Sequence, residues 1–324
     1  MTQMRVAIVE RDLSKLGGRQ ITMIDGFGDC FKELGFDVKL YSERMPNLSK
    51  LLTKRIKPED IRLYENLGEI ADELNEYDFI LLSHPSLSGI GKWVKRPIAC
   101  WYIAQPREWY PGLVDRVWTN SYTQKRRLGL FDAEVIYPPH DYSPFRETSL
   151  PWKERPIDIL IVTPIVKWGE RRKSLIRELR EISHFSLKHG LKTVFVLRAS
   201  NFSDILESRG LPHEKFYNIS RRYVSYLMGG SKILFHPSPV ESFSLVIVEA
   251  LNAGCYPIAK RAGAVEEQLG NVGFVYDDFQ EAKKEILGVL NDGHYSWISE
   301  DRGIKFDRST VVDRIRKEIG RLTG

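Results

Sequence analysis

Short apolar runs of strand length alternate with longer stretches of helix length through almost the whole chain, and few folds accept that order. In the first half the runs are RVAIVE, DVKLYS, DFILLS, PIACWYI, RVWTN and EVIYPP; in the second they are DILIVT, TVFVLR, FYNI, KILFHP, YPIA and GFVYD. Between them lie helix-like stretches at about Arg19 to Leu34, a polar one around Glu59 to Leu74, then Lys173 to His189, RRYVSYLM, Gln280 to Leu290 and Ser309 to Leu322. Strands joined by helices pair in parallel, and parallel sheets need helices on both faces, so the pattern implies an α/β protein. With 324 residues the chain suits two domains rather than one. The polar, turn-rich segment from His140 to Pro156 is the natural link, which gives a first domain over 1–150 and a second over 151–304.

Composition narrows the function classes. Cys30, Cys100 and Cys255 have no metal-ligand spacing and form no disulfide framework, which fits a reducing cytoplasm. MTQMRVAIVE lacks a signal-peptide pattern, and no apolar run approaches the roughly 20 residues of a membrane span. The net charge of +5 is modest and arises in the second half. Basic clusters at Lys50, Lys54, Arg55 and Lys57, at Lys92, Lys95 and Arg96, and at Lys125, Arg126 and Arg127 are either solvated faces or points of attraction to anionic lipid headgroups. No aromatic stacking motif accompanies a continuous basic stripe, which argues against a nucleic-acid partner. No Asp-x-Asp triplet, Gly-x-Ser-x-Gly, ATPase-type phosphate loop or His-Glu-x-x-His occurs, and Gly26-Phe27-Gly28 lacks the third glycine of a dinucleotide fingerprint.

The richest stretch is PSPVESFSLVIVEALNAGCYPIAKRAGAVEEQLG, from Pro237 to Gly270. It follows the strand-like KILFHP, turns over Ser238 to Ser242, and is helix-like from about Phe243 to Ala253, with Gly254 at the helix end. A helix starting there offers free N–H groups and the positive end of its dipole, a ready seat for a diphosphate. Glu241 stands beside that seat. Glu249 lies among Leu245, Val246, Ile247, Val248 and Leu251, where an unpaired carboxylate is costly to bury, so it calls for donors. The two hydroxyls of a ribose are suitable ones.

Pro237, Ser238, Glu241, Phe243, Leu245, Glu249, Ala250, Gly254, Pro257 and Ile258 keep the order and spacing of a known signature. The stretch resembles that of the family-4 retaining glycosyltransferases, whose motif holds a Glu-x7-Glu pair, and is nearest in pattern to lipid-linked mannosyltransferases. The resemblance implies the GT-B fold, two Rossmann-like domains facing each other across a cleft. The first would be the acceptor domain, completed by a C-terminal helix over about 305–324, and the second would hold the nucleotide-sugar donor. It further implies that Glu241 contacts the donor sugar and Glu249 the ribose, while the amides of Phe243, Ser244 and Leu245 face the phosphates. Ser242 and Ser244 replace two glycines of the pattern, narrowing the space near the sugar.

Other landmarks fall in order. Gly17-Gly18, after the first strand, looks like the family's glycine loop near the donor phosphates, and a tight turn is the plain alternative. TNSYTQKRRLG followed by VIYPP resembles the end of the family's first domain. PIVKWGERRKSL resembles its Arg-Phe-Glu-Arg-Lys-Lys-Asn segment with one extra residue, putting Lys167 in place of the arginine and Arg172 and Lys173 in place of the lysines. Such cations suit a diphosphate leaving group whose charge grows as the sugar departs. Gly263 and Glu266 or Glu267 resemble the stretch that shapes the base pocket. WYIAQP departs from the family's Tyr-Val-His-Tyr-Pro, with Ala104 where the histidine stands. His84, Tyr102, Gln105 and Arg107 are candidates to line the cleft in its stead, and His84 reads equally as an ordinary loop histidine.

The expectation is therefore a cytoplasmic, metal-independent retaining hexosyltransferase with no cofactor. Lys167, Lys173 and Glu241 would carry the chemistry, and Gly17, Gly18, Arg172, Ser242, Phe243, Ser244, Leu245 and Glu249 would bind the donor. Its partners are the nucleotide sugar and a glycan, lipid-linked or protein acceptor, with no nucleic acid and with membrane contact at most peripheral. Two alternatives stay open: a nucleotide-sugar epimerase on the same fold, and a catalytically degenerate nucleotide- or glycan-binding module.

Overall fold

The computed structural model describes residues 3–13, 21–46, 48, 55–101, 110–163, 169–197, 214–292 and 304–323, the side chains of 169–173, 292 and 304 excepted. Its contacts divide the chain into two units, 1–141 with 304–324, and 142–303.

In the first unit β1 (Arg5–Val9), β2 (Asp37–Ser42), β3 (Ile61–Leu63), β4 (Phe79–Leu82), β5 (Ile98–Trp101), β6 (Arg116–Thr119) and β7 (Glu134–Val135) form one sheet, in the order β3-β2-β1-β4-β5-β6-β7. Every pairing is parallel, and strand order reverses direction between β1 and β4. The runs are apolar throughout because both faces are covered. Ala7, Val9, Ile80, Leu82 and Ile98 pack against Ile70 and Leu74 of one helix and Leu87 and Ile90 of a 3-10 segment. The first helical stretch differs from the expected α-helix: Thr22–Gly28 winds as a wide π-helix, and only α1 (Asp29–Glu33) is α-helical. All seven π-helical residues are buried, and Thr22 Oγ1 lies 3.2 Å from His140 Nε2.

The polar stretch around Glu59 to Leu74 is not one helix. Ile61 is buried and pairs with Leu40, so Ile61–Leu63 is drawn into the sheet as its edge strand. α2 (Leu67–Leu74) starts only after Asn66, whose side chain accepts from the Glu69 N–H. α3 (Tyr122–Arg127) is likewise capped by Ser121. The C-terminal helix, Arg308–Thr323, belongs to this unit, and its Arg308 pairs with Glu33 at 2.7 Å.

The second unit repeats the plan. β8 (Ile157–Thr163), β9 (Thr193–Leu197), β10 (Glu214–Tyr217), β11 (Ser231–His236), β12 (Tyr256–Lys260) and β13 (Phe274–Tyr276) are ordered β10-β9-β8-β11-β12-β13, all parallel. The helices are α4 (Ser143–Glu147), α5 (Gly169–Lys188), α6 (Arg221–Gly229), α7 (Leu245–Asn252), α8 (Val265–Leu269) and α9 (Phe279–Asp292). On one face Leu175, Leu179 and Ile182 of α5 and Phe279 and Ile286 of α9 bury Ile159, Phe195, Ile233 and Phe235. On the other, Ile247 and Leu251 of α7 meet Ala259, Val265 and Leu269. Each unit thus has the strand order of a dinucleotide-binding sheet, in which ligands sit beyond the strands' carboxyl ends where the order reverses. In the second unit that place lies between β8 and β11. Among the described residues no helix is long and apolar enough to cross a membrane.

Residues 142–156 are packed on the second unit rather than drawn out as a link. Phe145 is buried, and Arg155 holds the segment down. Its guanidinium donates to the carbonyls of Leu150, Ser231, Ala253 and Gly254 and to Ser149 Oγ, at 2.6 to 2.9 Å. Ala253 and Gly254 end α7 in a Schellman turn: Cys255 N–H donates to Ala250, Gly254 N–H to Leu251, and Gly254 has φ of 65°. One side chain therefore ties the entry to the unit to the end of the helix that carries Glu249. Arg155→Ala should destabilise the second unit by about 3 kcal/mol, because several buried carbonyls lose their donor together. Urea unfolding followed by a probe within residues 142–303 measures it.

Candidate functional site

The site grows from the carboxyl end of β11. His236 closes the strand, Pro237 stops it, and the chain bends through Ser242 and Phe243 before α7 begins at Leu245, two residues later than the apolar pattern suggests. The delay has a cause in Gln268 of α8. Its Oε1 accepts the Ser244 N–H at 2.9 Å and its amide donates to the Ser244 carbonyl at 2.8 Å, fixing Ser244 as an extended N-cap. The Ser244 amide, expected to face the phosphates, is thereby occupied. Ser244 gives the helix no side-chain cap, which leaves the first-turn N–H groups that follow it for another acceptor.

Glu249 is 4% exposed, so its carboxylate needs partners inside the protein. They come from Arg221, the first residue of α6: Nε and Nη2 both donate to Oε1, at 2.9 and 2.5 Å. The guanidinium also lies over the Phe145 ring, 5.7 Å from its centroid. The buried carboxylate therefore does not depend on a bound ribose for its donors. Both bonds fall on Oε1, and Oε2 accepts none among the described residues.

Glu241 is held differently. Its Oε1 lies 3.0 Å from Nε2 of His236, a fully buried ring, and a carboxylate only accepts, so Nε2 is the donor. Ser244 Oγ stands 3.3 Å from the same nitrogen. Beneath Glu241 runs Gly263, at φ of 49°, so close that a Cβ there would come within 1.5 Å of the Glu241 carbonyl oxygen. Only glycine lets the two loops pass.

α5 opens just after the loop that leaves β8, and its Glu178 accepts from Lys260 Nζ and from the Tyr276 hydroxyl at 2.7 Å. Burial together with that carboxylate pushes the Tyr276 hydroxyl far above the usual phenol range. The pair of bonds anchors the helix to the ends of β12 and β13. Arg172 and Lys173 lie in the first turn or so of α5, and their side chains are outside the described residues, as are Gly17, Gly18, Lys167, Tyr102, Ala104, Gln105 and Arg107 entirely. The structure does bring Glu241, Ser242, Phe243, Ser244, Leu245 and Glu249 together at the end of β11. His84 sits at the matching place in the first unit, after β4, where its Nδ1 accepts the Ser86 N–H and starts a 3-10 helix. Among the described residues no cluster of three His, Cys, Asp or Glu has the arrangement to hold a metal ion.

Sequence reading missed Arg221, His236 and Gln268. A signal existed for the first: Arg221 and Arg222 open a helix, where cations oppose the dipole, so a buried anion nearby was called for. His236 and Gln268 give no such sign, because their partners are set by how loops fold back.

Residues 198–302 match the family model described as Glycosyl transferases group 1, a span that contains Arg221, His236, Glu241, Glu249 and Gln268. No curated protein sequence matches the chain. Among solved structures, Anabaena HepE in complex with UDP-glucose aligns with a TM-score of 0.77 at 16% identity, over 99% of this chain and 100% of that one. A glycosyltransferase from Rickettsia africae ESF-5 aligns at 0.73 and 15% identity, over 99% of both chains. Sucrose-phosphate synthase from Thermosynechococcus elongatus aligns at 0.69 and 14%, again over 99% of both. The fold is accordingly that of the GT-B glycosyltransferase structures, two Rossmann-like parallel-sheet domains.

Two outcomes test this geometry. Arg221→Met should cost roughly 3–5 kcal/mol by stranding the Glu249 carboxylate, while Arg221→Met combined with Glu249→Met recovers most of the loss. Urea unfolding of the four proteins of that cycle decides it. Gly263→Ala, by pushing on the Glu241 carbonyl, should cost about 1–3 kcal/mol and shift the His236 ring signals in NMR spectra.

Proposed function

We propose that this protein is a metal-independent retaining glycosyltransferase that moves a hexose from a nucleoside-diphosphate sugar to a glycan, lipid-linked or protein acceptor. The observation that carries the proposal is the position of Glu241 and Glu249. Both follow β11 at the strand-order reversal of the second sheet, within the span matched by the glycosyl transferases group 1 model. The complex of HepE with UDP-glucose makes a uridine nucleotide the first donor to try.

In this reading Glu249 presents Oε2 to the ribose while Arg221 retains Oε1, so the ligand does not have to displace an ion pair. The open first turn of α7 meets the diphosphate, joined by Lys167, Arg172 and Lys173. Glu241, oriented by His236, aligns the sugar. The acceptor oxygen attacks the anomeric carbon on the face from which the diphosphate leaves, and a phosphate oxygen takes the acceptor's proton, so configuration is retained and no cofactor is consumed. The proposed compartment is the cytoplasm, with any membrane contact made at the surface. Three buried free thiols suit it, and burial pushes Cys30 and Cys255 up to about 12.

Calorimetric titration of UDP, GDP and ADP tests the donor site. One of them is expected to bind, and Glu249→Gln to weaken it by about 1–3 kcal/mol. Absence of binding by all three to the folded wild type would sink the proposal. With a donor in hand, Lys173→Ala should slow transfer by about 10²-fold or more, measured with saturating donor, while leaving the anomeric configuration of the product unchanged.

A further inference from the structure

The first unit holds a cavity of about 560 Å³. It lies past the carboxyl ends of β1 to β4, for Arg11, Glu43 and Tyr64 follow β1, β2 and β3 within two residues and Ser86 follows β4. That is the ligand-binding edge of a doubly wound sheet, and the volume suits a small ligand.

Its lining is unusual in two respects. Trp93 is 54% exposed and Tyr110 41%, large rings that the core leaves uncovered. They are nevertheless placed: Tyr110 N–H donates to Ser88 Oγ at 3.1 Å and its ring lies under Lys92, 5.1 Å from the ammonium, while the Trp93 carbonyl accepts from Asn75 at 3.2 Å. The charged lining is balanced, Arg11 and Lys92 against Glu43 and Glu65. The side chains of Arg11, Glu43 and Glu65 have no ion pair or hydrogen bond among the described residues. Tyr64 closes the floor, its hydroxyl donating to the Glu10 carbonyl at 3.2 Å.

From this geometry we infer that the cavity binds a neutral sugar residue of a glycan, and, resting on the function proposed above, that this glycan is the acceptor. A pyranose has an apolar C–H face that packs on a fixed aromatic ring and a rim of hydroxyls that both donate and accept. Trp93 and Tyr110 match the face, and the carboxylates and cations match the rim. A polyanion, whether nucleotide or acidic glycan, meets as many carboxylates as cations here and gains nothing from the charge. A lipid chain would desolvate these four charged groups and offer them no hydrogen bond in return.

The full-length protein is probed on an array of neutral and acidic oligosaccharides, beside UDP titrations of the same samples. Wild type is expected to retain neutral glycans. Trp93→Ala and Tyr110→Ala should each lower that retention about tenfold, Trp93→Phe should keep most of it, and all should bind UDP as wild type does. Phe131→Ala, at a ring 77% exposed and not part of the cavity, should change neither readout. The inference falls if no neutral glycan is retained, if only acidic ones are, or if retention survives both alanine variants. Retention of neutral glycans without UDP binding removes the donor reading and leaves this one, and UDP binding without glycan retention does the reverse. Since both rings are exposed, their truncation leaves the fold intact, and thermal unfolding of each variant checks it.

Discussion

A carboxylate on an otherwise apolar helix face cannot be buried alone, and the second unit is arranged around that fact. Glu249 faces inward because α7 must pack its apolar residues on β11 and β12. An uncompensated charge there would cost more than the helix's apolar contacts supply, so α6 has to bring Arg221 to it. Arg221 in turn rests on Phe145 of α4, and α4 is part of the segment that Arg155 pins to the end of α7. The ion pair is thus the meeting point of three helices. It is poor evidence for stability, since a buried pair often does no better than apolar residues of the same size. What it does provide is a carboxylate oxygen fixed in place with its second lone-pair face unclaimed.

The loop before α7 obeys a different constraint, the crowding of backbone against backbone. Gly263 passes beneath Glu241 with no room for a side chain, and Gln268, five residues on, clasps Ser244 by both its amide atoms. The loop is held from below and from behind, and His236 holds it from the strand side. Such a loop keeps its shape before any ligand arrives, which lowers the ordering cost of binding. That preorganisation falls on Glu241, the side chain for which orientation matters most in the proposed transfer.

How much of this was legible in the sequence depends on the range of the interaction. Strands and helices came through well, because DILIVT or KILFHP is apolar on both faces only if a parallel sheet is sandwiched between helices. The Glu241 and Glu249 pair was visible since both lie in one strand-loop-helix unit. Ile61–Leu63 was misread as helix because three residues carry no period, and its strand state is decided by pairing with β2. The π-helical turns of Thr22–Gly28 were hidden because their surroundings come from distant strands: Phe27 meets Trp101 edge-on and stacks on Trp118. Arg221 and Gln268 lie 28 and 24 residues from the groups they bind, beyond any local pattern.

The carboxyl edges of the two sheets would handle charge differently, and the difference follows from the residues that line them. In the second unit the reversal of strand order brings together one helix start, one paired carboxylate and a basic helix opening, a setting that favours a dense anion with a polar handle. In the first unit the corresponding edge is electrically balanced and faced with aromatic rings, a setting that favours a ligand with no charge and with separate apolar and hydroxylated faces. In the proposed transfer a second anion site would compete for the nucleotide, and an electrically balanced lining in the first unit avoids that. Two sheets of the same strand order can therefore serve opposite ligands with no change of fold, since the lining comes from the loops at the strand ends and not from the strands.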